Sequence, residues 1–334
     1  MKFSNRIFLY IPWVLFALIA LAWCGYWFAL AGTAEKQLAQ WRAAQLHDNG
    51  DASYARIVRH GFPVLMRLEI DDFHYRTPRA GWSIATPRID LNIEMTNPQH
   101  IIFEAKAPLT ITNPKGAVST LDARELIVSV RNDHGALAQA GIEADALTLR
   151  DDKPGVFSAR KLVANLRPDP RAANQYQIAF EGHSINLARP VRSFEPFGQT
   201  IATLQAAIVI EQGAALTHPT PDDPLAAWRA VGGQARLEGL NLEWGPLETT
   251  GTGALGIDDA HRLAGAVRIR LPHPAPALTA LAQSPSLSRD AKQGLDLLAL
   301  SLALSGKHVT FNVDAQNGAL RIQHVPVRAL DPLY

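Results

Sequence analysis

Two hydrophobic periods follow one another along the chain. From Ile7 to Ala31 no charged residue occurs, and the run is apolar on every side. At about 1.5 Å per residue such a helix covers a hydrocarbon core of about 30 Å with slack for tilt. Thr33 to Leu46 then reads as an amphipathic helix, because Ala34, Leu38, Trp41 and Gln45 fall on one face and Thr33 can cap the start. It is either a stalk or a continuation of the span that lies on a sheet beyond it. The polar cluster His47 to Asp51 ends it.

Beyond residue 51 the period changes from 3.6 to 2. Val64, Met66, Leu68 and Ile70 alternate with polar or outward positions, and Ile89, Leu91, Ile93 and Met95 alternate with Asp90, Asn92 and Glu94. The pattern returns at 103–111, 126–130, 176–180, 204–210, 263–271, 309–313 and 320–322. Half-buried strands of this kind belong to antiparallel sheets with one apolar face. Helices are few. Asp222-Asp223-Pro224 caps a short one at 225–230, another covers 275–282, and the longest runs from about Ser288 to Ser301 with Leu295, Leu298 and Leu302 on one stripe. The predicted fold class is mainly β (α+β): an elongated, curved antiparallel sheet with a few short covering helices, preceded by one N-terminal transmembrane helix. The segments are a tail at 1–6, the span at 7–31, the helix at 33–46 and one β-rich domain over 51–334. The proline-rich stretches 167–170 and 217–224 are the candidate breaks within it.

Lys2 and Arg6 precede the span, so the positive-inside rule keeps the tail in the cytoplasm and puts residues 33–334 on the far side. Tyr10 and Trp13 at one end, and Trp23, Tyr26 and Trp27 at the other, sit where interfacial aromatics belong. The run is longer than a signal-peptide core, although Ala29-Leu30-Ala31 offers a small-residue cleavage site. Leu21-Ala22-Trp23-Cys24-Gly25 is not a lipoprotein box, because Trp23 stands where a small residue is needed.

Composition narrows the function classes. Of 334 residues, 32 are Lys or Arg and 31 Asp or Glu, a net charge of +1, which argues against a nucleic-acid partner. The single cysteine excludes an internal disulfide and a cysteine-built zinc site. The eleven histidines are scattered without metal-ligand spacing. Gly182-His183-Ser184-Ile185-Asn186 lacks the closing glycine of a nucleophile elbow. Gly251 to Gly256 matches G-x-G-x-x-G, but a polar turn and an alternating strand follow where a dinucleotide site needs a helix. No catalytic, metal or cofactor residue is therefore assigned, and a non-enzyme is expected.

Residues 239–247, then Gly251-Thr252-Gly253-Ala254-Leu255, an acidic turn at Asp258-Asp259 and Leu263 to Ile269 form a strand, Gly-x-Gly, turn, strand order. That order resembles the repeats of AsmA-like envelope proteins. The chain is most similar to the uncharacterised bacterial domain-of-unknown-function 2125 family. Gly61-Phe62-Pro63, Trp82 and Asn97-Pro98-Gln99-His100 match its segments, and Val64 departs from the aromatic usual after the proline. The resemblance implies a protein anchored in the inner membrane, with a periplasmic antiparallel sheet folded into a groove and a part in lipid traffic. It transfers no catalytic residue.

Strand after strand carries an apolar face, and few helices exist to cover them. The expected groove is lined by Leu68, Ile70, Ile89, Leu91, Ile93 and Met95, with the inner membrane, phospholipid and other envelope proteins as partners. The alternative is an interaction or assembly module whose core is closed.

Overall fold

The computed structural model describes residues 6–47, 50–78, 81–152, 155–216, 223–305, 308–322 and 325–334. Lys2, most of the expected tail, and residues 217–222 of the second candidate break lie outside these. Strand makes up 50% of the structure and helix 26%, so the antiparallel β class is right. The chain forms two compact units, one of residues 1–122 with 127–131, the other of 123–126 with 132–334.

In the first unit a single helix, α1 (Arg6–His47), runs through both 7–31 and 33–46, so of the two readings of 33–46 the continuation of the apolar helix is the one found, not a separate stalk. Thr33 caps nothing. Nothing between Ala31 and Ala34 breaks the helix, and the Thr33 hydroxyl donates to the Ala29 carbonyl one turn back at 2.9 Å. The strands are β1 (Asp51–Ser53), β2 (Arg56–His60), β3 (Leu65–Arg76), β4 (Ser83–Glu94), β5 (Asn97–Ala105), β6 (Leu109–Thr112) and β7 (Val118–Asp122). A further strand, β8 (Glu125–Asp133), contributes Ile127–Arg131. β3 pairs antiparallel with β1, β2 and β4. β4 pairs with β5 and β6, β5 with β8, and β6 with β7.

Register decides which side chains share a face. Met66, Leu68 and Ile70 stand opposite Ile93, Leu91 and Ile89, and Leu91 and Ile93 stand opposite Phe103 and Ile101. The other face carries Arg67, Glu69 and Asp71 opposite Asn92, Asp90 and Arg88. There Arg88 reaches Glu69 at 2.6 Å and Asp71 at 3.4 Å. Asp90 is the costly member of this face. It is 3% exposed, one carboxylate oxygen lacks a hydrogen-bond partner, and burial pushes its pKa up against the pull of Arg67.

The second unit is a meander, each strand antiparallel to the next. Its strands are β9 (Ala136–Asp151), β10 (Val156–Pro168), β11 (Tyr176–Asn186), β12 (Thr200–Ile210), β13 (Ala235–Trp244), β14 (Leu247–Ile257), β15 (Leu263–Leu271), β16 (Val309–Gln316), β17 (Ala319–Ile322) and β18 (Val325–Ala329). The proline-rich 167–170 stretch ends β10 at Pro168 and opens the turn to β11. Asp169 holds it by accepting the Arg171 backbone N–H at 2.8 Å, and the Arg171 guanidinium and N–H lower the Asp169 pKa to about 2.

The short helices are α2 (Ala226–Ala230), α3 (Pro274–Ala282) and α4 (Arg289–Ser305). α3 and α4 bury Leu271, Ala277, Leu278, Ala299 and Phe311 together, with Leu295 and Leu302 packed against them. The buried stripe of α4 therefore runs through Ala299, whereas Leu298, expected on it, is 38% exposed. The small side chain at 299 lets α4 pack closely against α3.

Candidate functional site

Five of the six residues expected to line a groove share one sheet face, with Met95 in the turn just after β4, and that face has an occupant. The C-terminal half of α1 lies on it. Trp27, Ala31 and Ala34 are buried in one cluster with Met66, Leu68, Ile70, Leu91, Ile93 and Met95. The positions Trp27, Ala31, Ala34, Leu38, Trp41 and Gln45 recur at steps of three and four, so one stripe of the helix faces the sheet. Trp27, Ala31 and Ala34 are buried and Leu38, Trp41 and Gln45 half-buried, whereas most of the positions between them are exposed, which is why residues 34–45 read correctly as amphipathic.

Polar contacts set the depth of docking. The Trp27 indole N–H donates to the Leu65 carbonyl at 3.1 Å, the Trp23 indole to Pro63 at 2.7 Å, and the Tyr26 hydroxyl to Met95 at 3.0 Å. Further along, Arg59 on β2 grips the Glu35 carboxylate with two N–H groups at 2.6 and 2.7 Å. That hydrogen-bonded guanidinium holds the Glu35 pKa below its ordinary value, against a smaller opposing effect of burial.

Docking is incomplete. Between α1 and the sheet an apolar cavity of about 390 Å³ remains, within the range of small-molecule sites. Ile70, Ile89, Leu91 and Ile93 line it, so four of the six expected residues meet there, together with Leu38, Trp41, Phe73 and Phe103. Gln37 is the one polar side chain among its walls. Leu68 and Met95 are enclosed in the buried cluster instead, at 0% and 3% exposure. The helix side of the cavity was missing from the expected site. Its signal was present, since the stripe through Leu38 and Trp41 needed an apolar face to rest on.

A cavity in the second unit also measures about 390 Å³, but Asn165, Glu181, Gln205 and Asn241 line it. That lining does not suit an acyl chain. Leu166, Ile178, Ile208 and Leu237 stand in register across β10 to β13, as do Ala164, Phe180, Ala206 and Leu240, the last three of which also line this cavity. These side chains are half-buried, in contrast to the covered cluster at α3 and α4.

The motifs set aside in the sequence lie in sheet. Gly182 to Asn186 belongs to β11, where Ser184 has a φ of 49° and turns Ile185 onto the face of Gly182. Gly251 to Gly256 belongs to β14, which a turn joins to β15 with no helix between them. Among the described residues no three His, Cys, Asp or Glu side chains gather into a metal-binding group. His183 binds Glu181 at 2.6 Å, and the His261 ring stacks on Tyr334 at 4.6 Å.

Among the described residues one helix, α1, is long and apolar enough to cross a membrane, and it is compatible with membrane anchoring. No curated protein and no solved structure matches the chain. One family model does, that of an uncharacterized protein conserved in bacteria (DUF2125). It matches residues 27–330, starting at the buried Trp27 of α1 and taking in both units, so the chain belongs to this family.

Proposed function

We propose that the protein is a non-enzymatic, membrane-anchored component of the cell envelope that holds a lipid acyl chain between α1 and the sheet of its first unit. One observation carries this reading: the apolar cavity beside α1, on the same helix whose N-terminal half is suited to a bilayer. The earlier likeness to AsmA-like repeats supports the same setting, with the inner membrane as the anchor and the periplasm as the compartment of the sheet. Each acyl methylene moved out of water contributes about 0.8 kcal/mol, so a chain is retained only if most of its length is enclosed.

Purification from native membranes in mild detergent, followed by mass spectrometry of extracted lipid, tests the reading. Stoichiometric phospholipid is expected, and it should fall several-fold in Ile101→Trp, which fills the cavity with an indole while the melting temperature stays near wild type. A lipid-free wild-type protein would refute it.

A second reading, an assembly module with a closed core, is favoured by two observations. α1 already covers Met66 and Leu68 completely, and α4 carries Leu297, Leu300 and Leu304 on an exposed face at 69%, 61% and 83%. An apolar helix face of that kind suits a protein partner.

A further inference from the structure

We propose that the loop Gly61–Val64, with Trp23, Tyr26 and Phe28 of α1, is a membrane-seating surface that rests in the interfacial layer of the bilayer that α1 enters. The inference depends on α1 being a membrane anchor and adds a second element that touches the lipid.

Helix length carries the argument. Described side chains from Tyr10 to Leu21 are exposed, so this part of α1 stands free of the protein. The apolar stretch of helix up to that point, residues 7–22, rises about 24 Å, whereas the hydrocarbon core is about 30 Å thick. One more turn, about 5.4 Å, is needed to complete the crossing, and tilt only increases the demand. The next turn is Trp23 to Tyr26, and it is already bonded to the domain. Trp23 donates to the carbonyl of Pro63 and Tyr26 to that of Met95. Completing the span therefore brings the 61–64 loop down to the level where hydrocarbon meets headgroups.

The loop's chemistry suits that level. Phe62 packs edge-on against Trp27 at 5.6 Å and stacks on Phe28 at 6.3 Å, yet remains 51% exposed. Val64 is 78% exposed, and Trp23, Tyr26 and Phe28 are 38%, 41% and 57% exposed. Gly61-Phe62-Pro63-Val64 contains no charge. Tryptophan and tyrosine, apolar with one polar end, prefer this layer. The patch continues the exposed apolar surface of the free helix, which makes a lipid surface, rather than a separate protein, its occupant.

The loop is held rigidly enough to act as a seat. Gly61 adopts a φ of 88°, and both Val64 and Leu65 donate backbone N–H groups to its carbonyl at 3.1 and 2.9 Å. A Cβ at residue 61 would lie 2.4 Å from the Leu65 carbonyl oxygen.

The test uses the full chain with Cys24→Ala, which removes its single thiol, and Val64→Cys labelled with an environment-sensitive fluorophore. The control is Val118→Cys, also exposed in the first unit. Val118 stands beside Thr112 and through it beside Ser83, at the far end of β4 from Glu94 and its partner Leu65. The separation along the strand is about 36 Å. Both proteins are reconstituted into vesicles of phosphatidylethanolamine and phosphatidylglycerol and floated on a density gradient. Flotation, a blue-shifted probe at residue 64 and several-fold stronger quenching there than at 118 by a lipid spin-labelled near its headgroup are expected. Flotation with equal quenching at the two positions overturns the seat and leaves the anchor standing. Failure to float overturns the anchor and the seat with it. A residue 64 probe that is watery in vesicles but shielded in native membranes assigns the patch to a protein and also overturns the proposal.

Discussion

Trp27, the first buried side chain of α1 among the described ones, hydrogen-bonds through its indole N–H to the carbonyl of Leu65, the first residue of β3. Helix and sheet are thus joined about one turn beyond the end of the free part of the helix. The bond also locates the chain's change of surroundings, from a helix exposed on all sides to one packed along a stripe.

Trp27→Ala is expected to lower stability by about 3–5 kcal/mol, the cost of deleting a large buried aromatic. Trp27→Phe should cost less, with about 1 kcal/mol attributable to the lost hydrogen bond. Denaturant unfolding of the full chain in mild detergent measures both, and equal losses would mean that ring packing contributes little.

The Glu35–Arg59 pair has a pH signature. The folded-state pKa of Glu35 lies below 4.5, so its stabilisation is complete above about pH 4.5 and is lost as pH falls through the lower folded value. Both partners are partly exposed, which limits the pair to about 0.5 kcal/mol. The difference in melting temperature between wild type and Glu35→Gln should be present at neutral pH and shrink below about pH 4.5. A difference that grows on acidification would contradict the assignment.

Gly253 is small because β15 passes close to it. An added Cβ would meet the Ala266 carbonyl oxygen at 2.3 Å and the Val267 Cα at 2.6 Å, whereas at Gly251 the nearest atom is 3.4 Å away. Gly253→Ala is expected to cost about 1–3 kcal/mol and Gly251→Ala less, read as midpoints of denaturant unfolding. The reverse order would show that the glycines serve something other than strand approach.

Topology is open to a direct assay. A reporter active only outside the cytoplasm, fused through a flexible linker after Tyr334, should give signal in cells. The linker is needed because the Tyr334 hydroxyl donates to Asp223 at 2.8 Å. A silent fusion with intact expression would reverse the proposed orientation.

Much of the first unit could be read directly from local pattern. The alternation from Ile89 to Met95 marks β4 and its apolar face, and the 34–38–41–45 stripe marks the docked side of α1. Both signals are periodic, and periodicity reflects burial on one side of a regular backbone. Residues 136–168 gave no such signal, yet they form the long strands β9 and β10. Their alternation is diluted by alanine and glycine, which favour strands weakly, and β10 is fixed by its pairing along Val156–Leu166 with β9 and along Ser158–Pro168 with β11.

The amino-acid sequence alone determined an apolar N-terminal helix, an antiparallel β class and the set of side chains that share one sheet face. Only the tertiary structure decided what covers that face. Trp27 and Leu65 are 38 residues apart, and their contact depends on a helix folding back along β3, which no local periodicity records. Periodicity states that a surface must leave water. Which surface receives it, and how much space remains between them for a third component, follows from long-range packing of side chains whose shapes meet only once the chain has folded.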